Sequence, residues 1–306
     1  MPKSHKNVPP TITGQPVPGF PLSFTWFRDE WEALFDEQTA LVKSDVARAR
    51  AEDRLVVYLS CPISARGGGS SETNVDIARY VERALLQRWG EAFWILNPAQ
   101  YQLESKAGTG LLDMHAKRLG IDLAKLLSKS SPGGGDYLRM WTKVLVEDGG
   151  DNLGRLLDAF YFLGPRDVHS FFLKDGSDIT ITAGIEIYFA RKFSSDASFC
   201  DSYSVPGIRW GVPPKSLLNP DPRVVWTQRR KDFMRFYGLR ASANFSLGSH
   251  DEWAILRLLN GARRKKTATS RMVAGDVGDQ IAAFFDGNQV DPASSEAPLS
   301  AGYAMP

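Results

Sequence analysis

Only two cysteines, Cys61 and Cys200, occur in 306 residues, so the chain has neither the paired thiols of a disulfide scaffold nor the clustered spacing of a zinc site. The four histidines, His5, His115, His169 and His250, are dispersed, with no pair one helical turn apart and no accompanying glutamate motif, and no metal ligand set is expected. A one-signed charge excess is also missing. The 37 Lys and Arg stand against 35 Asp and Glu, a formal net charge of +2, which is not the broad positive field of a dedicated nucleic-acid binder. Neither the proline-rich first 21 residues nor any later segment approaches about 20 uninterrupted apolar positions. With so few thiols, the expectation is a cytoplasmic protein with no membrane or nucleic-acid partner. No Gly-x-Ser-x-Gly elbow marks a serine hydrolase, and no Walker lysine follows a glycine loop.

What is present is the ordinary balance of a globular protein, 43% hydrophobic and 24% charged residues, enough for one large or two modest domains. Residues 1–22 carry Pro9, Pro10, Pro16, Pro18 and Pro21 and read as an extended arm. Ser23 to Arg50 has Trp26, Trp31, Leu34, Phe35, Leu41 and Val46 at three- and four-residue intervals, the pattern of an amphipathic helix or helix pair. From residue 51 to 200 apolar strands and helical periods alternate. Leu55 to Leu59, Ala92 to Leu96 and Leu156 to Leu163 read as strands, and Asn74 to Trp89, Leu111 to Leu127 and Tyr137 to Val146 as helices. Strands joined through helices require crossovers. The predicted fold is therefore α/β, a mostly parallel sheet with helices on both faces in a Rossmann- or flavodoxin-like three-layer arrangement, plus helical N- and C-terminal additions. The expected division is an arm and helix at 1–50, the α/β domain at 51–200, a helical extension at 201–285 with helices over Val224 to Tyr237 and Asp251 to Arg264, and a disordered tail at 286–306.

The most informative stretch runs from Val56 through Ser60-Cys61-Pro62-Ile63-Ser64 to Arg66-Gly67-Gly68-Gly69-Ser70-Ser71 and Asn74. A strand entering a helix through such a turn leaves backbone N–H groups aimed outward, a pocket for a phosphate, carboxylate or sugar oxygen. The expected substrate-binding residues are Ser60, Ser64, Arg66, Gly67, Gly68, Gly69, Ser70, Ser71 and Asn74.

Three ordered motifs carry a resemblance: Val57-Tyr58-Leu59-Ser60-Cys61-Pro62, Leu157-Asp158-Ala159-Phe160-Tyr161-Phe162, and Thr182-Ala183-Gly184-Ile185-Glu186-Ile187-Tyr188. Over roughly half its length the chain resembles the nucleoside 2-deoxyribosyltransferase superfamily, enzymes that cleave or exchange N-glycosidic bonds of nucleosides or nucleotides. The resemblance implies Glu186 as the nucleophile under the anomeric carbon, Tyr58 as the group orienting it and Asp158 as an aid to the leaving base. It also implies a homodimer or higher homo-oligomer and no cofactor. The family's second aspartate falls at Thr180 here, with Asp178 two residues away as the base-binding candidate, and residues 1–50 and 201–306 have no counterpart in the family. Without the resemblance, Glu186 would be an exposed helix residue, Asp158 a cap and Tyr58 a core aromatic. Two other functions fit the same motifs, an NAD glycohydrolase and a nucleotide-sensing module that binds without cleaving.

Overall fold

The computed structural model describes residues 10–63, 69–103, 109–174, 179–203, 222–240, 247–269 and 280–291. The chain divides into two compact units, each assembled from separate stretches. The first comprises residues 1–62, 82–162 and 245–306, and the second residues 63–81 and 163–244.

The first unit is built on a five-stranded, mostly parallel sheet in a mixed α/β arrangement. Its strand β3 (Leu55–Ser60), second in the sheet, has five consecutive buried residues after Leu55, the continuous buried run of a parallel strand covered on both faces. It pairs in parallel with β4 (Phe93–Leu96) on one side and β5 (Ala159–Phe162) on the other, with Tyr58 opposite Leu96 and Phe160. Beyond β5 lie β6 (Ala282–Phe285), parallel to it, and β7 (Asn288–Val290), antiparallel to β6. The order is β4-β3-β5-β6-β7. Because side chains alternate, Val56, Tyr58, Phe160 and Phe162 share a face, which is packed with buried residues of α1 (Glu30–Ala51), α5 (Gly134–Val146) and α10 (Leu247–Thr269). On the other face Tyr161 and Phe284 meet Trp89, at the end of α2 (Ser71–Trp89).

Several expected boundaries move. The proline-rich arm is folded from residue 10 onward: β1 (Thr11–Gly14) pairs antiparallel with β2 (Phe24–Phe27), and Val17, Phe20 and Leu22 are buried. The helix expected over Leu111 to Leu127 is two, α3 (Thr109–Leu119) and α4 (Leu123–Lys129), broken where Gly120 takes a φ of 68° and Asp122 caps the second helix through Lys125 N–H. The segment expected as a purely helical extension also supplies strand β6 of the main sheet. Residues 288–290, placed in the expected tail, form β7, while 292–306 lie outside the described residues. The hairpin turn is Asp286-Gly287, both with positive φ, the geometry of a two-residue turn matched to sheet twist.

The second unit contains the first part of α2 and the helices α6 (Pro165–Leu173), α7 (Ile181–Ser195), α8 (Ala197–Tyr203) and α9 (Pro222–Arg240). Its interior is aromatic. Phe171, Phe172, Phe189, Phe199, Phe233 and Tyr237 are buried, with Tyr188 packed against Phe171 and Phe172. Among the described residues no helix is long and apolar enough to cross a membrane.

Candidate functional site

Tyr58 and Ser60 sit two apart on β3 and so project from the same face, Ser60 at the strand's carboxyl end. Both point at one carboxylate, that of Glu252 on α10. The Tyr58 hydroxyl donates to Oε1 at 2.6 Å and the Ser60 hydroxyl to Oε2 at 2.5 Å. Glu252 is only 8% exposed. Burial pushes its carboxyl from 4.5 up to about 7, against the lowering effect of the two hydroxyl bonds, and the neighbouring Asp251 raises it further. Burial and the charge of Glu252 raise the Tyr58 hydroxyl well above its ordinary value of 10, so it stays protonated and remains a donor. The Tyr58 ring is wedged between Trp141 at 5.5 Å and Phe160 at 5.3 Å.

Helix α10 is pinned so that Glu252 reaches this position. Trp253 meets Phe162 edge-on at 4.9 Å. Two turns on, Asn260 exchanges bonds with both backbone groups of Ile281, just before β6, at 2.9 and 3.0 Å. Arg263 holds the carbonyls of Leu153 and Gly154, each at 2.8 Å. The basic run Arg263 to Lys266 therefore starts with a buried structural arginine, and Lys266 pairs with Asp151.

The clamp stands where the sheet changes direction of growth. β3 is followed along the chain by β4 on one side and then by β5 on the other, and the carboxyl end of such a strand is where open α/β sheets bind ligands. A buried, strongly perturbed acid at this edge has the properties of a reactive group. It can hold a proton at neutral pH or present a negative charge in a low dielectric, where that charge acts strongly on a developing cation.

The other expected site residues are placed differently. Glu186 is exposed, in the second turn of α7, and its carboxylate pairs with Arg230 of α9 at 2.8 Å. It belongs to the second unit, whereas Tyr58 and Asp158 belong to the first, and the carboxylate that Tyr58 contacts is Glu252. Asp158 precedes β5, at the opposite end of the strands from Ser60. Its Oδ2 accepts Val56 N–H at 2.7 Å and pairs with Arg50 at 2.8 Å. The side chain thus does the work of a ladder carbonyl at the start of β3, not of an acid at the strand exit. Asp158→Ala is expected to lower stability by about 1–3 kcal/mol by stranding Val56 N–H, as read from the urea midpoint at unchanged m-value.

The glycine turn is closed rather than open over its described part. Ser70 N–H, expected to face outward, donates to the Tyr237 hydroxyl at 3.0 Å, and Asn74 Oδ1 accepts from the same hydroxyl at 3.0 Å. A side chain at Gly69 would collide with the Phe236 ring, 2.6 Å from its Cβ position. Ser71 is exposed. Ser64, Arg66, Gly67, Gly68 and Asp178 lie outside the described residues. Among the described residues no group of three or more His, Cys, Asp and Glu side chains is placed to hold a metal ion.

The sequence reading missed Glu252, although a signal is present. Glu252, Ile255, Leu256, Leu259 and Arg263 fall at helical spacing on one face, so an acid stands in line with an apolar stripe. Comparison of the chain with protein families, with curated proteins and with solved structures finds no match in any of the three.

Proposed function

We propose that the protein breaks or exchanges the N-glycosidic bond of a nucleoside or nucleotide, with Glu252 rather than Glu186 as the carboxylate that meets the anomeric carbon. The observation that carries this reading is the clamp itself: one buried carboxylate, gripped by a strand tyrosine and a strand-end serine, at the edge where such sheets bind ligands. The strand order further supports assigning the first unit to the flavodoxin-like, three-layer class.

In this reading a carboxylate oxygen of Glu252 attacks C1′ as the C1′–N bond breaks. The base departs with the bonding pair and takes a proton from water, leaving a glycosyl ester on the enzyme. Water, or the nitrogen of a second base, then attacks C1′ and returns the free carboxylate. Tyr58 and Ser60 fix both oxygens, so the carboxylate loses no rotational freedom at the moment of attack. The chemistry calls for no metal or organic cofactor, and the assembly proposed with it is a homo-oligomer in the cytoplasm.

The test is base release, followed by chromatography, from a panel of nucleosides, their 5′-monophosphates and NAD. Glu252→Gln is expected to reduce release by at least about a thousandfold, while Glu186→Gln retains it. Loss in Glu186→Gln with retention in Glu252→Gln would return the nucleophile to α7. Nicotinamide release from NAD alone would mark the dinucleotide glycohydrolase. One observation favours a second reading, a nucleotide-sensing module: both oxygens of Glu252 are already bonded to protein hydroxyls in a buried position. Calorimetric binding of a panel member with no base released on long incubation would select it.

A further inference from the structure

We infer that helix α3 is held against α1 by a joint that acid opens, with His115 as its proton sensor. The residues concerned all belong to the first unit, and the inference makes no use of the chemistry assigned to Glu252.

The joint is a short relay of buried polar groups linking the two helices. His115 of α3 is 2% exposed and Gln38 of α1 is fully buried. The Gln38 amide nitrogen donates to the Tyr101 carbonyl at 2.9 Å, and its Oε1 lies 2.8 Å from His115 Nε2. A backbone carbonyl can only accept, so Tyr101 fixes which way the Gln38 amide faces. Oε1 in turn can only accept, which makes Nε2 the protonated nitrogen of His115. Nδ1 is then a bare imine nitrogen, and it is buried with no hydrogen-bond partner.

The contact accommodates the neutral ring and not the cation. A second proton at Nδ1 would place a donor and a positive charge in a buried contact that offers it no acceptor. The charged groups around the ring do not offset this. Glu37 of α1 favours the cation, but it is paired at 3.0 Å with Arg118 of α3, which opposes it. Asp45 of α1 is taken up by the Tyr101 hydroxyl and Arg48, while Asp113 and Lys117 of α3 are exposed. Burial is the largest influence and pushes the imidazole below its ordinary value of 6.5. The apolar contacts of the buried Leu112 and Ala116 hold α3 in place and do not titrate. The proton therefore acts on the balance alone: it binds more readily once α3 has left α1 and the ring has reached water. Closing is at full strength above pH 6.5 and weakens as the pH falls through the lowered value.

Amide hydrogen exchange on the full chain, corrected for the intrinsic effect of pH, tests this. From about pH 7.5 to about pH 5 the amides of Asp113 to Leu119 are expected to lose about five- to thirtyfold of protection relative to those of Val56 to Leu59; the upper figure is for a ring of ordinary value 6.5 that binds its proton only in the open form. In His115→Gln, which keeps an N–H for Gln38 Oε1 but cannot titrate, that relative loss should vanish. Nitrogen NMR of the wild-type imidazole at about pH 7.5 should show a protonated Nε2 and a bare Nδ1, a measurement that needs no variant. A proton on Nδ1 at that pH, no relative loss in the wild type, or a loss that persists in His115→Gln would overturn the joint.

Discussion

Between pH 4.5 and pH 7 the wild-type protein should lose about 3 kcal/mol of stability relative to Glu252→Gln. The folded carboxyl binds its proton up to about pH 7, whereas the unfolded group releases it near 4.5. In that window the native state holds more protons than the unfolded state, so raising the pH favours unfolding. The contribution is fully present below 4.5 and gone above about 7. Glutamine keeps the shape and bonds with both hydroxyls but cannot ionise, so the difference between the two proteins isolates this one group. Asp148, held below its usual range by four backbone N–H groups despite its burial, acts with the opposite sign but is common to both. Urea titrations at several pH values measure the effect; parallel curves for the two proteins across the window would mean that Glu252 does not change charge there.

Gly135→Ala should be the most damaging small substitution in the first unit, with a loss of at least about 3 kcal/mol. Gly135 lies in the first turn of α5, where a Cβ would stand 2.0 Å from the Thr25 carbonyl oxygen of β2. That is backbone against backbone, so no side-chain rotation relieves it. The same junction is tied by Asp136, which accepts Phe27 N–H across it at 2.8 Å while its other oxygen accepts Gly133 N–H at 2.7 Å within the α5 cap, and separating the strand from the helix would strand the Phe27 donor. Gly261→Ala is the control, since a Cβ in that part of α10 meets nothing within 4 Å and alanine should stabilise by about 1 kcal/mol. The comparison is read from urea midpoints. Equal effects at the two positions would show that β2 and α5 are not in this close contact.

Where pattern and environment agree, the sequence was readable. β3, β4 and α2 fall where apolar runs and helical spacing place them, because a short buried strand and a long amphipathic helix each leave a distinct period. The third strand was placed correctly but too long, since Leu157 is buried without joining the ladder, and Asp158 only leads into it, adding a side-chain bond to Val56 N–H beside its backbone bonds to Val56 and Ala282. The β6–β7 hairpin was not legible because only one side of Asp286-Gly287 carries an apolar run, Asn288-Gln289-Val290 being mostly polar. Strands of four and three residues are also too short to show an alternating period. For the site, Tyr58 and Ser60 stood out on the opening strand, but their partner lies 194 and 192 residues away along the chain. No local pattern links positions so distant, and only the packing of α10 over β3 brings them together. The phosphate-cradle expectation failed at Ser70 and Asn74 for a similar reason: a tyrosine 167 residues downstream from Ser70 already occupies the outward-facing N–H.

Covalent trapping most directly tests whether Glu252 is the reactive carboxylate. The full chain is mixed with a substrate from the panel, quenched in acid within milliseconds, digested and analysed by mass spectrometry. The account predicts a sugar adduct on the peptide bearing Glu252 and its absence in Glu252→Gln. An adduct on the peptide bearing Glu186, or rapid base release with Glu252→Gln, would contradict it.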